Sequence, residues 1–160
     1  MGDGNYYPAL LEIGLRPMGL DEIRQLCVSD GRFHLSQTRA RIMENLETLI
    51  CGLRTIGVRG EAWIDGSFLT EKIDPGDVDI VVCLDDAIVQ AFTGKQKADI
   101  DWLFENKEIK TDYSCDSHVH ISFPDGHSSY AFGQYMYAYY LRLFGWDEFL
   151  QMKGIAVVAL

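Results

Sequence analysis

The chain has no basic tract, no Cys-x-x-Cys pair and no apolar run of membrane-spanning length, and each absence narrows its function. Fourteen Lys and Arg stand against 24 Asp and Glu, for a formal net charge of −10. Non-specific binding to a nucleic-acid backbone needs a compensating basic surface. The basic residues offer only small clusters, Arg39 with Arg41 and Lys95 with Lys97. An RNA partner is therefore expected less than a protein or a small molecule, although one local basic groove would reverse that order. Cys27, Cys51, Cys83 and Cys115 are widely spaced, which favours four reduced thiols in a cytoplasmic protein. Cys51 falls in an expected helix and Cys83 and Cys115 in expected strands, where free cysteine commonly acts as a small buried apolar residue. Met1-Gly2-Asp3-Gly4-Asn5 lacks the basic and then apolar layout of a signal peptide. No segment approaches the roughly 20 apolar residues a membrane helix requires.

What is present suits a globular α/β domain. The 160 residues are 48% apolar and 24% charged, ordinary values for one domain with a real core. The expected layout is an N-terminal arm and short helix over 1–35, then a core over 36–160. Ser36 caps a long helix in which Ile42, Met43, Leu46, Leu49, Ile50, Leu53 and Ile56 recur at three- and four-residue steps before Gly57. Strands are expected at about Glu61 to Asp65, Asp77 to Leu84, Cys115 to Phe123 and Gly154 to Leu160. Helical stretches fall at Ala87 to Phe92 and Lys95 to Phe104, with a polar loop from Asn106 to Thr111. Ser128 or Ser129 opens a tyrosine-rich helix whose Phe132, Tyr135, Met136, Tyr139 and Leu143 trace one face, read as core in preference to a base-stacking or interface surface. The fold class is thus α/β (α+β), a small mixed sheet flanked by helices.

The chemistry concentrates in Asp77-Val78-Asp79-Ile80-Val81-Val82. Side chains alternate along a strand, so Asp77 and Asp79 share one face about 7 Å apart while Val78, Ile80 and Val82 take the other. Like charges held so close call for a cation, and Mg²⁺ prefers oxygen ligands. Nine residues separate Asp77 from Gly66-Ser67, a glycine and a small hydroxyl at a strand end where a phosphate can approach the backbone. Together the two pieces predict a site for a nucleoside triphosphate and its Mg²⁺ or Mn²⁺.

Gly66-Ser67 followed by Asp77-Val78-Asp79-Ile80 resembles the signature of the polymerase-β-like nucleotidyltransferase superfamily. The likeness is close from Trp63 to Leu84 and looser to Phe123. Within that superfamily the chain looks most like small stand-alone bacterial and phage nucleotidyltransferase-like proteins, through Phe144-Gly145-Trp146-Asp147 and Lys153-Gly154-Ile155. The resemblance implies a minimal nucleotidyltransferase fold. It also implies Asp77 and Asp79 as metal ligands and a third carboxylate from a later strand, best supplied by Asp116 and next by Asp112. Ser67 would meet the β- and γ-phosphates, Gly66 would leave room for them, and Lys72 is a secondary phosphate contact. Two alternatives stand beside catalysis on an NTP. One is a binding module acting as partner in a toxin–antitoxin or phage-defence pair, and the other is a phosphohydrolase using the same acids.

Several residues also have plainer roles. Ser67 suits a turn, Asp116 an exposed acid, and Lys72 a solvated surface. Asp65 departs from the family pattern, which has an apolar residue before the glycine, and its carboxylate must turn away from bound phosphates. Gly76 stands where many relatives carry serine. His118 and His120 share a face with Asp116, but alternate side chains on one strand lie too far apart to close a tetrahedral zinc site. His34 and His127 are expected at the surface.

Overall fold

The computed structural model of the protein describes residues 5–105 and 113–160. Among these, five strands form one sheet: β1 (Gly14–Pro17), β2 (Glu61–Asp65), β3 (Val78–Asp85), β4 (Cys115–Ser122) and β5 (Gly154–Ala159), in the order β1-β5-β2-β3-β4. β2 is antiparallel to both neighbours, whereas β1 with β5 and β3 with β4 are parallel pairs. The end of β2 therefore meets the starts of the other four strands along one end of the sheet. The α-helices among the described residues are α1 (Leu20–Arg24), α2 (Arg39–Thr55), α3 (Asp86–Ala91), α4 (Gly94–Glu105) and α5 (Tyr130–Phe144). The expected mixed α/β class holds.

α2 forms where the three- and four-residue periodicity places it. The Ser36 hydroxyl accepts the Thr38 and Arg39 amides at 3.3 and 3.2 Å, satisfying donors that a first turn leaves unpaired. Gly57, at φ +86°, ends the helix in the left-handed region. Ile42, Leu46, Ile50 and Leu53 are buried against Ile64, Val78, Ile80 and Val82, so the apolar alternation of β3 is read out by this helix.

Two expectations change, and α5 covers part of the sheet face opposite α2 by laying Tyr140 and Phe144 on Trp63, Val81, Ile155 and Val157. The buried side of α5 runs through Gly133, Tyr140 and Phe144, about one residue round from the expected stripe. Phe132 and Tyr135 are 63% and 67% exposed, with Tyr139 and Leu143 also exposed. Gly14–Pro17, expected as part of an arm, adds the edge strand β1 to the sheet. A glycine, a proline and a mostly exposed pattern hide such a short strand.

Farther along the arm, Leu10 N–H donates to the Leu69 carbonyl and Glu71 N–H to that of Pro8, both at 2.9 Å. All four cysteines are free thiols, and Cys51 is exposed on α2, unlike buried Cys27 and Cys115. Asn106 to Thr111, expected as a loop, and Asp112 lie outside the described residues. Among the described residues no helix is long and apolar enough to cross a membrane.

Candidate functional site

Strand register brings the sequence-predicted acids together. Asp79 pairs with Asp116 across the parallel β3/β4 ladder and with Asp65 across the antiparallel β2/β3 ladder. Directly paired residues project on the same face, so Asp65, Asp79 and Asp116 form a row over three adjacent strands, each about 4.8 Å from the next. Asp77 precedes β3 by one residue. Asp77, Asp79 and Asp116 are all half-buried at the strand starts.

Gly66 makes the row possible. Its backbone, at φ 85° and ψ −168°, occupies a region essentially reserved for glycine. A Cβ there would stand 2.1 Å from Asp79 Oδ2 and 3.1 Å from its Cγ. The turn is therefore closed tightly over the Asp79 carboxylate, a contact that any larger residue would prevent. Ser67 opens a short 3-10 turn, Ser67–Leu69, directly behind it. The Thr70 amide and hydroxyl both donate to the Ser67 carbonyl, at 3.2 and 2.8 Å.

Asp65, the residue out of keeping with the sequence pattern, is 2% exposed and its Oδ2 lies 2.6 Å from Lys153 Nζ. Burial raises the Asp65 carboxyl to about 7, and the Lys153 ammonium acts against that rise. Asp65 Oδ1 is buried with no hydrogen-bond partner among the described residues. Lys153 is 9% exposed and leads into β5. Sequence reading missed this lysine. Its signal was an acid closing the apolar run Ala62-Trp63-Ile64, which demands a buried counter-charge.

A second buried cation holds the far side of the turn. Arg39, 1% exposed at the start of α2, donates five hydrogen bonds of 2.5 to 3.1 Å to the carbonyls of Cys27, Phe68, Thr70 and Lys72. Its guanidinium also lies 3.7 Å from the Phe33 ring centroid. The residues after Gly66-Ser67 thus owe their path to α2. Lys72 is placed by this grip on its carbonyl, and its Nζ lies 5.6 Å from the Tyr7 ring centroid.

The histidines separate. His118 Nε2 is 3.8 Å from Asp116 Oδ1, at the margin of the acid row. His120 is buried beside the rings of Tyr137 and Tyr140, and desolvation lowers its pKa. His34 and His127 are exposed. The carboxylate donor set is of the hard-oxygen type that Mg²⁺ takes, and the register puts it on one face. Among the described residues, no three His, Cys, Asp or Glu side chains stand close enough together to form a ready metal cage. The residues suit the ion in donor chemistry, and holding one would require their side chains to rotate toward a common point.

Fold and site together define a small mixed-sheet α/β domain with a glycine-closed acidic row at one sheet end. The chain belongs to a family of unknown function, DUF6932, whose pattern it matches over residues 5–159. No curated protein and no solved structure matches it.

Proposed function

We propose that the protein is a metal-dependent nucleotidyltransferase that moves an NMP from an NTP to a hydroxyl, with Asp77, Asp79 and Asp116 as the acidic centre. The observation that supports this most is the closure of Gly66 over the Asp79 carboxylate, with Asp116 in register beside it. Asp77, Asp79 and Asp116 would hold Mg²⁺ or Mn²⁺, which supplies charge neutralisation on the triphosphate. Ser67 orients the terminal phosphates and Lys72 adds a positive charge at their edge. The acceptor oxygen attacks the α-phosphorus as the bond to the bridging oxygen breaks. Asp116 takes the hydroxyl proton, and pyrophosphate leaves. A protein or small-molecule acceptor, met in the cytoplasm, agrees better with the net charge of −10 than an RNA end does.

Incubation with α-labelled NTPs, Mg²⁺ and candidate acceptors tests the reading by following label transfer and pyrophosphate release. Wild type should transfer label, and Asp77→Ala/Asp79→Ala should not. Absence of NTP binding by wild type would sink the proposal, and release of phosphate in place of pyrophosphate would favour a phosphohydrolase.

A second reading, a protein-binding module of a toxin–antitoxin or phage-defence pair, draws on the exposed Phe132, Tyr135, Tyr139 and Leu143 of α5. Contiguous apolar patches of this kind commonly mark protein interfaces. Co-expression with the neighbouring gene product separates the two. A binding module should lose its partner on Phe132→Ser/Tyr135→Ser and keep it on Asp77→Ala/Asp79→Ala.

A further inference from the structure

A pocket of about 330 Å³ lies between β1, the residues leading into β5 and the C-terminal end of α5. Leu15, Ile155 and Met152 give it apolar walls, Trp146 and Arg142 form its aromatic and cationic side, and Lys153 closes it. Its volume sits at the small end of ligand sites, the size for a ring system with few polar contacts. We propose that this pocket takes the nucleobase of the nucleotide whose phosphates the acidic row receives, an inference that rests on the nucleotidyltransferase reading.

Four features carry it. The pocket and the acids lie at the same end of the sheet and on the same face, since Leu15 pairs with Ile155, and Ile155 and Trp63 pack with α5. Lys153 belongs to both, because it lines the pocket while its ammonium contacts Asp65 at 2.6 Å. Two strand spacings, about 10 Å, separate β5 from β3, a gap that a nucleoside triphosphate bridges from base to phosphates. Finally, the Arg142 guanidinium lies 4.6 Å from the Trp146 ring centroid, and no carboxylate pairs with it among the described residues. An indole backed by a cation suits a flat ring bearing nitrogen and oxygen acceptors better than an acyl chain.

The test compares binding of ATP, GTP, CTP and UTP with that of inorganic tripolyphosphate, which has no base, all with Mn²⁺. Wild type should bind at least one NTP tenfold or more tighter than tripolyphosphate. Met152→Trp, placed at an exposed position to fill the pocket, should bring that NTP down to the tripolyphosphate level without changing tripolyphosphate affinity. Arg142→Ala, an exposed change that leaves the fold intact, should weaken the same NTP severalfold and leave tripolyphosphate untouched. Asp77→Asn/Asp79→Asn should weaken both ligands. NTP binding unchanged in both pocket variants, or equal wild-type affinity for NTPs and tripolyphosphate, overturns the pocket and leaves the nucleotidyltransferase reading standing. Wild type that binds neither ligand overturns both.

Discussion

Residues 65–72 are held from two sides by buried cations that act differently. Arg39, from α2, donates its hydrogen bonds to carbonyls alone, whereas Lys153, from the lead into β5, meets a carboxylate. A guanidinium has five donors in a rigid fork and can be satisfied by backbone alone, fixing a chain path. An ammonium is a point charge, and here it sets the electrostatics next to the acidic row. The turn is thus shaped by one cation and charge-balanced by the other, which separates the route of the loop from the potential at the site.

Removing the shaping cation should cost most. Arg39→Met strands four carbonyls, three of them at buried contacts, and is expected to lower unfolding free energy by about 4 kcal/mol. Arg39→Lys should recover less than half of that, since an ammonium has three donors in the wrong geometry. Urea titration measures both, and a loss below about 1 kcal/mol would remove Arg39 from its assigned role.

Lys153→Met leaves a buried carboxylate without its counter-charge and should cost about 3 kcal/mol. Adding Asp65→Asn to it should restore most of the loss. A double-mutant cycle reads the coupling directly, and strict additivity would show that the pair does not interact.

Gly66→Ala should cost roughly 2 kcal/mol from its backbone conformation and the displaced Asp79 carboxylate. Gly76→Ala, where a Cβ meets nothing within 4 Å, should stay within about 0.5 kcal/mol. Equal melting temperatures for the two variants would contradict the close approach at Gly66.

The smallest effect concerns His120, buried on the α5 side with its pKa below the ordinary 6.5. The unfolded chain binds more protons at this residue than the folded one does as pH falls below 6.5, so stability should decline with acidification from that point. His120→Phe should flatten the decline when melting is followed from pH 7 to 5. An unchanged slope would place the acid sensitivity elsewhere.

Much of the scaffold was legible because local pattern and burial agree. Glu61–Asp65 is the expected strand to the residue, and β3, β4 and β5 fall within one or two residues of their expected bounds. β3 and β5 carry runs rich in Val and Ile, and the apolar face of β3 is packed by α2, whose own period is clear. The position of Asp116 was also accessible, since it lies near the start of an alternating strand and the register places it beside Asp79. α5 was harder to orient, because aromatic residues occur all round it and periodicity does not select the inner face. β1 has too few residues and too little burial to announce itself. The Asp65–Lys153 contact joins distant segments, and only the oddity of a charged residue ending an apolar strand hinted at it.

The arm before β1 has a mechanical consequence. Leu10 and Pro8 are stitched to Leu69 and Glu71, just past the glycine turn, and a few residues later the same stretch becomes a wall of the pocket. A short tether of this kind transmits displacement between the two places. The amides of Leu10, Glu71 and β1 should then lose hydrogen-exchange protection as one cooperative unit, with a common opening free energy.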